Sequence, residues 1–283
     1  MNPALDKLKH KVISWGLAHP GVRVMINVGS LARQVFPADD WSDLDLELYV
    51  EDVESITADD GWLADLGDVW VRLPFERNDH VPEWLILFDG AIKLDLSFHT
   101  LDDLRHLTHD LPLKEPFVRG YEVLIDKDER SEYFHAPDYH PAPVPPPTLA
   151  EFTQTMNFFW YGVVYIAKQI KRGQLWTAWY RDTTIKSQLL QMIEWHARAL
   201  HGPQHDTWHD GRFMPQWTDP ATWEALKACF PHFEAEDQTA SLRAVMALFR
   251  RLTAETAARL KYDYSTLLDD RASGFVADLL AQQ

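Results

Sequence analysis

Asp43-Leu44-Asp45 sets two carboxylates two residues apart, and Asp95, within Lys93-Leu94-Asp95-Leu96-Ser97-Phe98, supplies a third from a separate stretch. Both stretches alternate polar and apolar residues. In a strand successive side chains face opposite sides, so Leu44, Leu46 and Leu48 point one way and Asp43 and Asp45 the other. Carboxylates crowded on one face repel each other unless a cation sits among them, and hard oxygen ligands of this kind suit Mg2+ carrying substrate phosphates. Three on adjacent strands would hold two ions. Such a clamp stabilises the attacking and leaving oxygens of an in-line displacement at phosphorus, so the implied reaction is nucleotidyl or phosphoryl transfer. Upstream, Gly29-Ser30 ends the apolar run Val22 to Val28. Glycine permits a tight turn, and a short helix after it would offer free N–H groups and a positive dipole end to a phosphate. An Asp-x-Asp by itself is common on polar strand faces; it gains meaning here because three elements answer one chemical need.

Gly29-Ser30, then Asp43-Leu-Asp45, then a later lone Asp95 on a strand resembles the signature of the DNA polymerase β-like nucleotidyltransferases. The wider pattern, GSLAR, SDLDLELYV, WLILFDGAIKLDLSF, FFWYGVVYIAKQIKRG and LLQMIEWHA, is similar to the aminoglycoside 6-adenylyltransferase (streptomycin adenylyltransferase) family over nearly the whole chain. That resemblance implies AMP transfer from ATP to a hydroxyl of a streptomycin-like aminoglycoside, with release of pyrophosphate and antibiotic resistance as the outcome. It implies that Asp43 and Asp45 hold the metals and that Asp95 completes the site and deprotonates the acceptor hydroxyl, a role for which Asp182 and Glu194 compete.

Ser30 and Ser42 are candidates to bond phosphate oxygens, and Arg33, expected on the first turn of the helix after Gly29, could pair with the triphosphate bidentately. Three carboxylates and a triphosphate repel even with two Mg2+ present, so further positive charge is needed. Lys168 and Lys186 are the candidates, with Lys171, Arg172 and Arg181 in reserve; lysines on amphipathic helices are otherwise mostly solvated faces. An aminocyclitol acceptor calls for acids against its ammonium groups and aromatic faces against its ring. Asp182, Glu194 and Trp179 are selected, while most of Trp160, Tyr161, Trp176, Trp179, Tyr180 and Trp195 are expected in the core. Gly211-Arg212-Phe213 aligns where the family has a glycine-lysine pair. His201, His205 and His209 recur every four residues, but Gly202-Pro203 breaks the helix that would make them a zinc face.

The expected fold is α+β, a nucleotidyltransferase-type mixed β-sheet domain with flanking helices followed by an all-helical bundle. Asn2 to Ala18 has a helical apolar period closed by Pro20-Gly21. Strands are expected at Val22 to Val28, through Asp43 and Asp45 to Val50, at Val69 to Leu73, Trp84 to Phe88, Ala91 to Phe98 and Tyr121 to Ile125. Asp89-Gly90 suggests a type I′ hairpin turn, Leu101 to His109 a helix, and Glu51 to Asp60 a solvated surface before a short helix to Leu66. A mixed sheet with helices on one side results. Six prolines between His135 and Pro147 forbid helix and favour a semi-rigid connector. The expected domains are therefore 1–134 for nucleotidyl transfer, a linker at 135–147, and 148–283 for binding substrate and nucleotide. Thr148 and Glu151 have capping-box spacing and open a helix ending near Gly173; further helices are expected over about 175–200, 221–230 and 239–260.

At 283 residues the chain can bury a substantial core, and no apolar run reaches the ~18 residues of a membrane span. A single cysteine, Cys229, excludes an intramolecular disulfide, and no leader pattern opens the sequence, so a soluble cytoplasmic protein is expected. Lys+Arg 27 against Asp+Glu 43 leaves a net charge of -16, which disfavours nucleic acid and favours a cationic small molecule, although acidity also serves solubility alone. The expected partners are ATP and that cationic acceptor, with no membrane, in a monomer or homodimer. Two rivals remain at this stage: the same chemistry on another small molecule or a protein side chain, and a nucleotide-binding protein without catalysis.

Overall fold

The computed structural model describes residues 2–77, 79–109, 115–130 and 141–281. The chain divides into two compact units, Met1–Tyr139 and His140–Gln283. In the first, helix α1 (Pro3–Ala18) is capped by Asn2, whose side chain accepts from the Ala4 N–H, and leads into β1 (Val22–Val28). Strand β2 (Leu44–Val50) follows, then the short helices α2 (Val53–Thr57) and α3 (Leu63–Leu66). Strands β3 (Val69–Glu76), β4 (Pro82–Phe88) and β5 (Ile92–Thr100) precede α4 (Leu101–His109) and β6 (Glu122–Asp126). The sheet order is β3-β4-β5-β2-β1-β6, with β2 and β5 parallel and every other pair antiparallel.

The β2–β5 register positions the three carboxylates. Leu44, Leu46, Leu48, Leu94 and Leu96 form the inner face, none more than 1% exposed. Burying a leucine is worth roughly 1.5–3 kcal/mol, and a slip of one residue would turn the whole row outward and the carboxylates into the core. Leu44 pairs with Leu94, Asp45 with Asp95 and Glu47 with Ser97. The leucine ladder thus sets the carboxylates side by side on the opposite face.

Two core clusters cover the two faces. One packs α1 and the α2–α3 region on Leu44, Leu46, Leu94 and Leu96; the other packs Leu104 of α4 and Phe117 on Val24, Ile26, Val28 and Tyr49. Helices therefore flank both sides, correcting the expectation of a one-sided layer. The segment expected as solvated surface instead forms α2, because Asp52 accepts from the Ser55 N–H and Ile56 is buried. At the β4–β5 hairpin, positive φ falls on Gly90 and Ala91 rather than on Asp89 and Gly90, giving a 3₁₀ turn in place of type I′.

In the second unit α5 (Leu149–Lys171) opens with the expected capping box: the Glu151 N–H donates to Thr148 Oγ1 at 3.2 Å and the Thr148 N–H to Glu151 Oε2 at 2.7 Å. Gly173, at φ 69°, ends it. The unit continues with α6 (Leu175–His201), α7 (Met214–Trp217), α8 (Pro220–Leu226), α9 (Ala235–Leu260) and α10 (Leu267–Leu280). α10, which sequence reasoning missed, packs chiefly on α5. Residues 135–140 of the expected linker lie outside the described residues; 141–147 run without helix or strand, and the Val144 N–H donates to Pro203 O at 2.8 Å. Among the described residues no helix is long and apolar enough to cross a membrane.

Candidate active site

Alternation along β2 and β5 makes two polar rows that face one another, Asp43, Asp45, Glu47 and Tyr49 against Lys93, Asp95, Ser97 and His99. At the open end, Lys93 Nζ donates to Asp43 Oδ2 at 3.2 Å and to Asp95 Oδ2 at 2.9 Å. Deeper in, Glu47 is 4% exposed and accepts from Arg77 Nη1 at 3.2 Å; it is also paired with His99 Nε2, whose ring stacks on Tyr49. The polar face therefore grades from a half-exposed carboxylate group into a buried, fully engaged ion cluster.

Gly29 presses directly on this site. Its φ is 67°, and a Cβ built there would fall inside the van der Waals envelope of Asp45 Oδ2. Both the backbone conformation and the close approach require glycine. The expected helix after Gly29 is absent: a single 3₁₀ turn, Gly29–Leu31, is followed by irregular chain to β2. A three-residue turn has no helix dipole to offer a phosphate, and Arg33 lies beyond it with Nε donating to Phe36 O. Ser30 Oγ is buried with no hydrogen-bond partner among the described residues. The turn is braced by Gly120, where a Cβ would collide with the Ala32 carbonyl oxygen, and by the Gln34 N–H donating to Arg119 O at 3.1 Å. Ser42 is engaged locally, its Oγ donating to Asp39 Oδ1 and accepting from the Asp39 N–H.

Electrostatics mark the carboxylates out. Burial, then the charge of Asp95, pushes Asp45 up to about 6, with Lys93 opposing. Burial also raises Asp95, outweighing the hydrogen bond and charge of Lys93. Glu83 on β4 is raised by burial and by Asp95. Burial pulls Lys93 down, but the hydrogen bonds and charges of Asp95 and Asp43 more than offset it.

A divalent cation fits this donor set by its chemistry. Three hard carboxylates share one polar face, buried Asp95 Oδ1 has no partner among the described residues, and burial with the charge of Asp95 disfavours the ionised form of Asp45. As the side chains stand, no group of three His, Cys, Asp or Glu among the described residues is arranged to hold an ion, and the Lys93 ammonium lies between two of the three carboxylates.

One expected result follows for the metal-free protein. A carboxyl whose folded pKa lies above its unfolded value near 3.8 favours folding fully at low pH, and that contribution is lost as pH rises through 6. In EDTA, Asp45→Asn should exceed the wild type's stability by only about 1 kcal/mol at pH 4.5 and by on the order of 2–3 kcal/mol at pH 7.5. Urea unfolding at the two pH values measures the difference, and equal stability at pH 7.5 would contradict it.

The remaining sequence candidates lie in the helical unit. Asp182, 7% exposed on α6, pairs with Lys186 one turn on, so each already has a partner of opposite charge. Glu194 faces Arg198 at 3.6 Å and Gln191, and Lys168 reaches over the Phe275 ring. Trp160 is core, but Tyr161, Trp176 and Tyr180 are exposed and Trp179 is 41% exposed, correcting the expectation that most were buried. The α5–α6 contact is filled by residues such as Ile166, Ile170, Ile185 and Leu189, which leaves these aromatics outward, with Trp176 and Trp179 rings 5.4 Å apart. A pocket of about 590 Å³ lies beside Lys186, Gly211, Trp223 and Phe230. Sequence reasoning missed Lys93, Glu47 and Gly120; Glu47 merely continues the period of Asp43 and Asp45, a signal present in the alternation itself.

A family model described as streptomycin adenylyltransferase matches residues 5–279. Among curated relatives, the aminoglycoside 6-adenylyltransferase of Campylobacter jejuni is 28% identical over 276 residues, covering 94% of this chain and 92% of its own. The protein of the same description from Bacillus subtilis (strain 168) is 26% identical over 260 residues, 89% of each chain. Among solved structures, the crystal structure of an aminoglycoside 6-adenyltransferase from Bacillus subtilis aligns with a TM-score of 0.46 at 20% identity, covering 98% of this chain and 97% of that one.

Proposed function

This chain belongs to the streptomycin adenylyltransferase family, a family of nucleotidyltransferase enzymes, and on that premise we propose that it transfers AMP from ATP to a hydroxyl of a streptomycin-like aminoglycoside in the cytoplasm. The observation that carries this reading is the in-register pairing of Asp45 with Asp95, flanked by Asp43, against a glycine that lets the chain close onto Asp45.

Asp43, Asp45 and Asp95 would hold two Mg2+ ions, which supply charge neutralisation at the phosphates and acidify the attacking hydroxyl. The acceptor oxygen forms a bond to the α-phosphorus as the bond to the β-phosphate oxygen breaks, and pyrophosphate leaves. Asp95 would take the hydroxyl proton, as a carboxylate on the same polar face as the other two. Buried Ser30 Oγ, unpartnered among the described residues, hydrogen-bonds a phosphate oxygen. Gly29, Ser42 and Arg33 remain proposed contacts of the nucleotide, and Lys168 and Lys186 are proposed as further positive charge for it. On the acceptor side Asp182 and Glu194 meet ammonium groups and Trp179 a ring face. The net charge of -16 favours the approach of a polycation.

The test is pyrophosphate release by purified protein with ATP and Mg2+ over a panel of aminoglycosides with a lincosamide included. Release with streptomycin-like acceptors alone is expected. Release with the lincosamide alone would overturn the acceptor class while keeping the chemistry, and silence with every acceptor would overturn the reading.

A further inference from the structure

We propose that Lys93 is the built-in counter-ion of the carboxylate site, so that a divalent cation binds by exchange with its ammonium rather than by addition to an empty cage. The inference rests on reading Asp43, Asp45 and Asp95 as cation ligands.

Lys93 stands two residues before Asp95 on the same face of β5, and strand geometry keeps it beside that carboxylate. Its Nζ contacts one oxygen of Asp95 and one of Asp43 at 2.9 and 3.2 Å, bridging two strands as a cation would. The bridge is incomplete. It leaves Asp95 Oδ1 without a partner among the described residues and neutralises one of three negative charges. The Lys93 side chain is 39% exposed, so its stem has a path to solvent when a doubly charged ion competes for the same oxygens. A lysine holds the site together at one charge, whereas a divalent ion supplies two and accepts more oxygens.

Two consequences follow. Free cation binds weakly, because each ion must break the Lys93 contacts before it gains its own. A phosphorylated ligand that arrives with the cation offers the displaced ammonium a replacement anion, which couples cation and nucleotide binding through this side chain.

The test is Mn2+ binding to nucleotide-free protein, read from the loss of the free-ion electron paramagnetic resonance signal. Lys93→Met should bind Mn2+ about tenfold or more tightly than the wild type, because one unit positive charge has left the site. Lys93→Arg, which keeps the charge, should stay near the wild type. In EDTA the Lys93→Met protein should melt below the wild type, and Mn2+ should raise its melting temperature by the larger amount. A lysine that only packs would lower the melting temperature with and without Mn2+ and leave affinity unchanged or weaker, which would overturn the exchange. Asp45→Asn separates the two levels. If Mn2+ binding requires Asp45 but ignores Lys93, the exchange alone fails; if Asp45→Asn binds as the wild type does, the carboxylate reading falls with it. Should Lys93→Met prove insoluble, Lys93→Gln carries the same comparison.

Discussion

Asp45→Asn should lower Mg2+-dependent adenylyl transfer by at least about a thousandfold, some 4 kcal/mol of transition-state stabilisation. Asparagine is nearly isosteric with aspartate, so the β2–β5 ladder and its leucine face should persist, and the lesion is one of charge. Asp45 sits at the centre of the group, paired with Asp95 across the strands and raised to about 6 by burial and by that neighbour. Removing its charge relieves the metal-free fold at neutral pH while removing a ligand. Stability and activity should therefore move in opposite directions, which general damage to the fold cannot produce. Asp95→Asn should cost as much, since it loses a ligand and the proton acceptor together. Steady-state kcat/KM with ATP and acceptor, alongside melting curves in EDTA at pH 7.5, reads both quantities. Retention of more than a tenth of wild-type activity in Asp45→Asn would contradict the metal assignment.

Gly29→Ala should cost about a hundredfold in activity, by the rule that misplacing a catalytic group by about 1 Å carries that penalty. The backbone at φ 67° charges any L-residue roughly 1–2 kcal/mol, and the added methyl must also push Asp45 Oδ2 away from its place beside Asp95. Stability should fall by about 1–3 kcal/mol. The double variant Gly29→Ala/Asp45→Asn separates backbone strain from displacement of the carboxylate. If alanine acts on catalysis through Asp45, the second substitution should add little to the activity lost with Asp45→Asn alone. Fully additive losses would indicate that Gly29 acts on phosphate approach by itself.

Much of the sheet was legible in the sequence because a strand of period two flanked by an all-leucine face admits one register. Leu44, Leu46 and Leu48 had to go inward, so Asp43 and Asp45 had to come out together, and the second alternating stretch around Asp95 obeyed the same rule. The capping box at Thr148 was equally legible, since two side chains three residues apart satisfy each other's backbone donors locally. Tertiary relations were harder. Gly29 was assigned to a helix start by its motif, yet the chain there is held by contacts with Gly120 and Arg119, remote in sequence. Lys93 read as the polar half of an alternating strand, and its role depends on Asp43, fifty positions earlier, arriving beside it. Tyr161, Trp176 and Tyr180 looked like core by composition, but the buried positions of α5 and α6 are taken by other residues, among them Phe159, Trp160, Ile166, Ile185 and Leu189.

The measurement that tests the central claim most directly is mass spectrometry of streptomycin after incubation with ATP, Mg2+ and either wild-type protein or Asp95→Asn. The acceptor should gain the mass of one adenylyl group with the wild type, and remain unmodified with Asp95→Asn over the same time. Unmodified streptomycin in both samples would contradict the proposed acceptor, and equal modification in both would contradict the site.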